Sequence, residues 1–258
     1  MTGNRSTAVM QRRAIAPDAL DYFPTPPWAT RALCEILSGY MHDSMGIDPG
    51  ERLNRCTAWE PCCGEMFMAN PMREYFASVR ASDVHRYTPD HDLVDFMGMD
   101  ALTLPRVDWI FMNPPFIHAE QFISRALSRS IRGVAALVRG AFTESEKRYE
   151  SLFGTTMLPT WEFQFAERVP MLRGRLIRKG QLDPFSLDPK TGEPRPCSSA
   201  TTYSWLVWMP GQHDWRKRII PPCRLRMERE GDYPLYLEQW REVGRNEMAI
   251  AMKKGRLL

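Results

Sequence analysis

The first half of the chain alternates short apolar runs with stretches of helical periodicity. The apolar runs predict strands over residues 56–59, 78–81, 107–112 and 134–138. Apolar residues at helical spacing predict helices over residues 28–40, 67–76 and 119–131. Because strands that alternate with helices form parallel sheets, this pattern predicts an α/β fold with a Rossmann-like, mostly parallel sheet and helices on both faces.

The second half of the chain predicts a different strand arrangement. Two apolar runs, 163–169 and 204–209, flank a Pro/Gly-rich stretch over 170–200 and predict a C-terminal antiparallel hairpin with that stretch looped out. Polar residues 1–20 predict a mobile N-terminal arm. We therefore expect a main domain over 21–211 and a basic C-terminal extension over 212–258, which ends in a helix near residues 237–252.

Composition narrows the protein class. The 34 Lys+Arg against 31 Asp+Glu give a net charge of +3, so any nucleic-acid surface has to be local. The six cysteines are scattered without paired CxxC units, which favours reduced thiols in a cytoplasmic protein and no metal site. No apolar stretch is long enough for a membrane span, so we expect no membrane association. The sequence leaves the oligomeric state open.

Polar motifs stand where three of the predicted strands end. They are Glu60-Pro61-Cys62-Cys63-Gly64, Ser82-Asp83 and Asn113-Pro114-Pro115-Phe116. The carboxyl ends of parallel strands share one edge of the sheet, where such folds bind ligands. Gly64 suits a tight turn close to a ligand, and Asp83 is placed to accept both hydroxyls of a ribose. Taken singly, an ordinary turn and a helix cap would also explain these two residues.

The Asn-Pro-Pro-Phe unit predicts chemistry at an amino nitrogen. The lone pair of an exocyclic amino group is delocalised into its ring, which makes the nitrogen a poor nucleophile. If the Asn113 side-chain oxygen and the Pro114 carbonyl accept its two N–H groups, the lone pair returns to the nitrogen. Pro114 and Pro115 hold the backbone, and Phe116 would stack on a base flipped out of a duplex. The plain alternative is a strand that ends in a proline turn.

These motifs resemble the amino-methylating DNA methyltransferases, in the adenine-N6 branch with phage and restriction-system relatives. The resemblance also rests on Thr25-Pro26-Pro27, which precedes the first strand motif, and it covers residues 21–116 strongly and continues weakly to 210. It implies a Rossmann-like class I methyltransferase fold, S-adenosylmethionine as cofactor and DNA as partner. The implied reaction is methylation of adenine N6 with catalytic residues Asn113, Pro114, Pro115 and Phe116.

The same resemblance implies a set of cofactor contacts. They comprise Phe23, Thr25, Pro26, Glu60, Pro61, Cys62, Gly64, Asp83, Asp100, Ala101 and Asn113. Asp100 would hydrogen-bond the cofactor adenine, with Asp95-Phe96 as a competing match. The family pattern usually has a second glycine where this chain has Met66, whose side chain could crowd the cofactor. A DNA-binding protein with a degenerate cofactor site is therefore one alternative.

Two basic clusters are candidates for holding the substrate. The predicted DNA contacts are Arg173, Arg175, Arg178, Lys179, Arg216, Lys217 and Arg218. Cations beside flexible Pro/Gly-rich sequence suit phosphate contacts, although a solvated surface would look the same in the sequence. Asn at the head of the tetrapeptide and Phe at its end favour adenine N6. Cytosine N4, RNA and the glutamine amide of a protein remain alternative targets.

Overall fold

The computed structural model describes residues 21–43, 53–154, 157–212 and 214–237. The helices in these ranges are α1 (Pro27–Asp43), α2 (Ala69–Met72), α3 (Asp100–Thr103), α4 (Ala119–Arg129), α5 (Glu146–Arg148) and α6 (Arg224–Met227). The strands are β1 (Thr57–Glu60), β2 (Ser78–Asp83), β3 (Asp92–Leu93), β4 (Val107–Met112), β5 (Ser130–Arg139), β6 (Trp161–Phe165), β7 (Leu182–Leu187), β8 (Pro194–Pro196), β9 (Tyr203–Trp208) and β10 (Arg216–Ile220). Single turns of 3-10 helix cover Leu53–Arg55 and Gly140–Thr143, and a π-helical turn covers Tyr149–Phe153.

Eight of the strands form one sheet in the order β10-β6-β9-β5-β4-β1-β2-β3. Strand β9 runs antiparallel to both of its neighbours, and all other pairs are parallel. The predicted fold class is therefore confirmed, including the antiparallel pairing of the two late strands. The strand order reverses between β1 and β4, which is where open α/β sheets bind their ligands.

The sheet is covered on both faces because successive side chains of a buried strand point in opposite directions. On β4, Trp109 and Phe111 pack in the layer that contains α1 and α2, whereas Ile110 and Met112 pack in the layer that contains α4. Large side chains are buried in both layers, as shown by Trp109 and Ile110, each with 0% of its surface exposed. This rigid centre fixes the direction in which the residue after Met112 leaves the sheet.

Several predicted elements have different bounds in the structure. The helix expected over 67–76 is reduced to α2, and the chain on either side of it forms irregular turns. The expected 163–169 strand begins earlier and ends at Phe165. The predicted 170–200 loop contains β7 and β8, which form a separate two-stranded antiparallel sheet. Prolines at 184, 194 and 196 hide these strands in the sequence, but proline is tolerated at the edges of so small a sheet.

The main sheet continues beyond residue 211 through β10, which pairs with β6. The predicted arm over 1–20 and most of the predicted helix over 237–252 lie outside the described residues. All six cysteines carry free thiols, as expected. Within the described ranges, no helix is long and apolar enough to cross a membrane.

Candidate active site

A cavity of about 490 Å³ opens at the carboxyl ends of β1, β2 and β4. Its walls come from the segment before α1, the turns that follow these strands, and the start of α4. Predicted site residues that line it are Phe23, Thr25, Glu60, Pro61, Cys62, Asp83, Asn113 and Pro115. Pro26, Gly64, Pro114, Phe116, Asp100 and Ala101 are not among its lining residues. The three strand-end motifs therefore converge on one cavity, as the parallel sheet requires.

Gly64 begins the turn at the end of β1 in a left-handed conformation, with φ of +51°. Its N–H donates to Asp83 Oδ2 at 2.9 Å, which joins the β1 turn to the end of β2. A Cβ atom at this position would lie 2.3 Å from Cε2 of Tyr22. Only glycine satisfies both constraints, because a side chain would strain the backbone and collide with the tyrosine ring.

Met66 stands where the resemblance leads one to expect a second glycine, and it keeps a left-handed backbone with φ of +68°. Its side chain is 3% exposed and packs with Cys63, Ala69 and Ala81. Met66 is not among the residues that line the cavity. The turn accepts this backbone conformation and directs the side chain into an apolar cluster, where Met66 Sδ accepts from the Thr88 hydroxyl at 3.6 Å.

Residues 21–25, which we call the strap, close one side of the cavity. The Tyr22 hydroxyl donates to Glu65 Oε2 at 2.9 Å, and its ring lies 4.6 Å from that of Tyr87. Burial, and then the charge of Glu65, raise the pKa of Tyr22, so the hydroxyl stays protonated as a donor. The N–H of Gly174 donates to the Tyr22 carbonyl at 2.9 Å, which ties the strap to the start of the 170–200 segment.

Asn113 follows β4 directly, and the strap sets the orientation of its side chain. Asn113 Nδ2 donates to the carbonyl of Phe23 at 2.7 Å. The opposite end of the amide, Oδ1, is buried and accepts no hydrogen bond from any described residue. Because Phe23 occupies the donor end, Asn113 presents an acceptor that the described part of the chain leaves unused.

Phe116 is held outside the cavity by contacts to its backbone and its ring. Its N–H donates to Asp21 Oδ2 at 2.5 Å. Its ring centroid lies 5.0 Å from that of Phe23, and the guanidinium of Arg139 lies 3.8 Å from the Phe116 ring centroid. Part of the Phe116 surface that the sequence assigned to base stacking is thus already covered by an arginine.

Glu60 and Thr25 carry further unused polar atoms in the cavity wall. Thr25 Oγ1 and Glu60 Oε2 are buried and have no hydrogen-bond partner among the described residues. Burial is the main cause that raises the pKa of Glu60 well above its ordinary value, and repulsion from Asp83 adds to it. A buried polar atom without a partner costs about 1–3 kcal/mol, so three of them around one cavity indicate that a polar ligand completes the site.

Asp83 ends β2 with its carboxylate fixed by two backbone donors. Oδ2 accepts from Gly64, and Oδ1 accepts from the N–H of His85 at 3.0 Å. Each oxygen keeps a second lone pair for a ligand. The next residue, Val84, lines the cavity with 64% of its surface exposed, which is unusual for an apolar side chain at a strand end.

The structure places the two acids considered for an adenine contact differently with respect to the cavity. Asp100 is exposed at the start of α3, and Ala101 is 0% exposed in the core beneath that helix. The competing match lines the cavity instead, through Asp95, Phe96 and Met97. A turn closed by the Gly98 N–H on the Asp95 carbonyl separates the two acids, and spacing to β4 did not distinguish them.

Most cations predicted to contact DNA have partners within the chain. Arg175 Nη2 lies 2.7 Å from Oδ2 of Asp183, whose side chain is 3% exposed, and Arg178 Nε lies 3.6 Å from Glu228 Oε2. On β10, Lys217 Nζ lies 3.0 Å from Glu162 Oε1, Arg216 pairs with Asp214, and Arg218 covers the ring of Trp161. Arg173 and Lys179 are half-buried. Both clusters lie at the surface, but most of their cations form ion pairs or ring contacts within the chain.

Sequence reasoning missed the aromatic walls of the cavity and the cation beside the tetrapeptide. Tyr22, Tyr87 and Phe122 line the cavity, and Arg139 ends β5 next to Phe116. Position offered a signal for two of them, since Tyr22 precedes the Thr-Pro-Pro segment and Arg139 directly follows an apolar strand run. In the described part of the chain, no three His, Cys, Asp or Glu side chains group as metal ligands.

No protein-family model and no curated protein matches this chain. Solved structures resemble it in fold at low identity. A proposed class I S-adenosylmethionine-dependent methyltransferase from Listeria monocytogenes is 10% identical, with a TM-score of 0.48 over 82% of this chain and 68% of that one. A proposed RNA methyltransferase from Pyrococcus horikoshii is 13% identical, with a TM-score of 0.49 over 78% and 96%. The modification subunit of a proposed type I restriction enzyme from Vibrio vulnificus is 12% identical, with a TM-score of 0.43 over 98% and 56%.

Proposed function

We propose that the chain transfers the methyl group of S-adenosylmethionine to an exocyclic amino group, and that its substrate is adenine N6 in DNA. The observation that carries this proposal is Asn113 Oδ1, a buried acceptor at the switch point of the sheet without a partner among the described residues. An amino group that donates one N–H to this oxygen would satisfy it. The same contact would localise the nitrogen lone pair for attack.

The residues around the cavity fit the proposed cofactor. Glu60 Oε2 and Thr25 Oγ1 would hold the amino and carboxylate groups of its methionine end, which removes two unpaired buried atoms. Asp83 would accept the ribose hydroxyls, and the exposed face of Val84 would pack on the adenine. Asp95 and Phe96 take the adenine contact in place of Asp100 and Ala101. When bound, S-adenosylmethionine would supply a methyl group on a sulfonium whose sulfur departs as a neutral thioether without acid catalysis, and the methylated nitrogen would release one proton to solvent.

The chain's own contribution to the reaction is alignment. The Phe23 carbonyl fixes the Asn113 amide so that Oδ1 faces the substrate amino group. Asp21 holds the backbone of Phe116, which fixes the far end of the tetrapeptide. The Pro114 carbonyl is proposed to accept the second N–H, and direct displacement then needs orientation rather than a covalent enzyme intermediate.

Labelled cofactor tests the proposal directly. The protein is incubated with S-adenosylmethionine that carries a labelled methyl group and with DNA, RNA and a protein extract in separate reactions. We expect label in DNA, and we expect Asn113→Ala to abolish it while cofactor binding by calorimetry persists. Label in RNA or in glutamine amides, with none in DNA, contradicts the proposed substrate.

The position of the methyl group needs a separate measurement. Host DNA is sequenced by a single-molecule method after expression of the wild-type chain and of Asn113→Ala. We expect N6-methyladenine at one short sequence in the first sample and its absence from the second. N4-methylcytosine in the wild-type sample would keep the amino chemistry and overturn the choice of base.

A further inference from the structure

A cation that the sequence did not single out lies beside the catalytic tetrapeptide. Arg139 is the last residue of β5, and its register partner on β9 is Tyr203. Its guanidinium lies 3.8 Å from the ring centroid of Phe116 and 5.3 Å from that of Phe23. Burial raises the pKa of Tyr203, and the positive charge of Arg139 opposes that rise. Arg139 therefore stands on the β5 side of Asn113, whereas the cavity opens on the β1 and β2 side.

The charge of Arg139 is not neutralised in the way that other arginines of the chain are. Arg175 and Arg132 each pair with an aspartate at 2.7 and 3.0 Å. In the ranges that the structure describes, no ion pair is found for Arg139, and its Nε is buried without an acceptor. A half-buried guanidinium with an unused N–H is a site for an anionic acceptor.

The position of Arg139 indicates which anionic group of a substrate it would bind. An amino group in contact with Asn113 Oδ1 and a ring near Phe116 would place the rest of the substrate on the β5 side, next to Arg139. In a nucleotide, the anionic group beyond the base and its sugar is a phosphate, which a guanidinium binds well. A glutamine side chain carries no anion there.

We propose that Arg139 binds the backbone phosphate of the nucleotide whose base enters beside Asn113, and that it does so after leaving the face of Phe116. This inference rests on the proposed function and deepens it, since it requires a nucleic-acid substrate. The guanidinium occupies the stacking distance above Phe116 in the free protein. When the base enters, it replaces the Arg139 guanidinium on the ring of Phe116, and Arg139 can then bind the phosphate.

The test compares Arg139→Ala with Arg132→Ala. Both changes remove one arginine from β5, at opposite ends of the strand and roughly 23 Å apart at the usual rise per residue. Methylation kinetics use a DNA duplex that carries the site found by sequencing, at about 50 to 200 mM salt. Thermal melting and calorimetry with S-adenosylmethionine verify that each variant folds and binds cofactor.

We expect Arg139→Ala to raise the KM for DNA about tenfold or more and to lower the slope of affinity against salt by about one. Cofactor affinity and the Arg132→Ala kinetics should stay within about threefold of the wild type. Arg139→Lys should recover part of the KM, because it returns the charge without the planar fork. A duplex with an uncharged methylphosphonate beside the target base should raise the KM of the wild type for DNA but leave the KM of Arg139→Ala unchanged.

Two results overturn the inference and are distinguishable. If the wild type methylates DNA but Arg139→Ala leaves KM and salt slope unchanged, or lowers KM, Arg139 is a cover for Phe116 and the proposed function stands. If the wild type methylates glutamine amides and no nucleic acid, both the proposed function and this inference are wrong.

Discussion

The cavity at the strand ends and the basic segments beyond it treat polar side chains in opposite ways. Around the cavity, Thr25, Glu60 and Asn113 carry buried oxygens that no described residue satisfies. In the basic segments, cations that were predicted from the sequence to contact DNA form ion pairs within the chain, as in the Arg175–Asp183 pair. Unpaired buried polar atoms also occur in the core, as at Trp109 Nε1, so it is the grouping of three such oxygens around one cavity that indicates a polar ligand.

Asn113→Ala should have the largest effect and would break this comparison if it had none. Removal of the one acceptor aimed at the substrate should lower kcat about 10³-fold, close to 4 kcal/mol, because that contact strengthens in the transition state. Cofactor affinity should stay within about threefold. The matched control is Asn70→Ala, an exposed asparagine whose Oδ1 accepts from Arg73 at 2.9 Å. Equal kcat values for the two variants would contradict the role of Asn113.

Arg175→Ala tests the basic segments, where the comparison says that charged groups form ion pairs within the chain. The change leaves the Asp183 carboxylate buried without its arginine, so the free energy of unfolding should fall by about 3 kcal/mol. Urea denaturation measures this loss. Lys190→Ala, an exposed lysine in the same segment, should stay within about 0.5 kcal/mol of the wild type. A normal stability with a sharply reduced affinity for DNA would show instead that Arg175 is a phosphate contact.

Gly64→Ala should act through the strap. The new Cβ would lie 2.3 Å from the Tyr22 ring, so the strap must move and the cofactor cavity must change shape. We expect cofactor affinity to fall about thirtyfold, close to 2 kcal/mol, by calorimetry. Gly231→Ala separates collision from backbone strain, because that glycine also has a positive φ, of +87°, with open space around it. A similar loss of cofactor affinity in both variants would exclude the collision.

Glu60→Gln should have the smallest effect and a pH signature. Burial holds the pKa of Glu60 well above its ordinary value, so the folded chain keeps this proton at a pH where the unfolded chain has released it. The contribution of Glu60 to stability therefore falls as pH rises from its ordinary pKa through the raised one. Glu60→Gln should melt progressively higher than the wild type over that range. It should also bind cofactor about tenfold more weakly at pH 8, because Glu60 can release its proton and become a carboxylate when the ammonium group of the cofactor binds, and a glutamine cannot.

Glu35→Gln is the control for the titration, because Glu35 pairs with Arg226 at the surface and lies outside the cavity. A melting difference between Glu60→Gln and wild type that does not change with pH would contradict the buried proton. Tighter cofactor binding by Glu60→Gln at pH 8 would contradict the contact proposed for this carboxylate.

Sequence patterns predicted those parts of the fold that depend on local chemistry. The strand Val107–Met112 has the predicted bounds, because a run that is apolar except for Asp108 is followed by Asn-Pro-Pro, which ends the strand. The convergence of Glu60, Asp83 and Asn113 followed from parallel strands alone. These are consequences of periodicity and of proline geometry, which neighbouring residues determine.

Contacts between distant parts of the chain could not be predicted in the same way. Asn113 and Phe23 are 90 residues apart, and their hydrogen bond decides which amide atom is available. The choice between Asp95 and Asp100 depended on where a turn placed them, and the fate of Arg175 depended on a strand formed within a Pro-rich segment. Each outcome depends on which distant segments come into contact. Residue propensities and motif spacing do not carry that information.

The charges of β10 have a consequence outside catalysis, because β10 is the outermost described strand on its side of the sheet. Within the described chain, β10 is the last strand on its side of the sheet, so one row of its backbone N–H and C=O groups has no strand beside it. Such an edge can recruit a strand from another molecule and start aggregation. Arg216, Lys217 and Arg218 are all exposed along it. Two copies that approached edge to edge would bring these cations close together, which disfavours strand pairing at β10 even though each cation also has a contact within the chain.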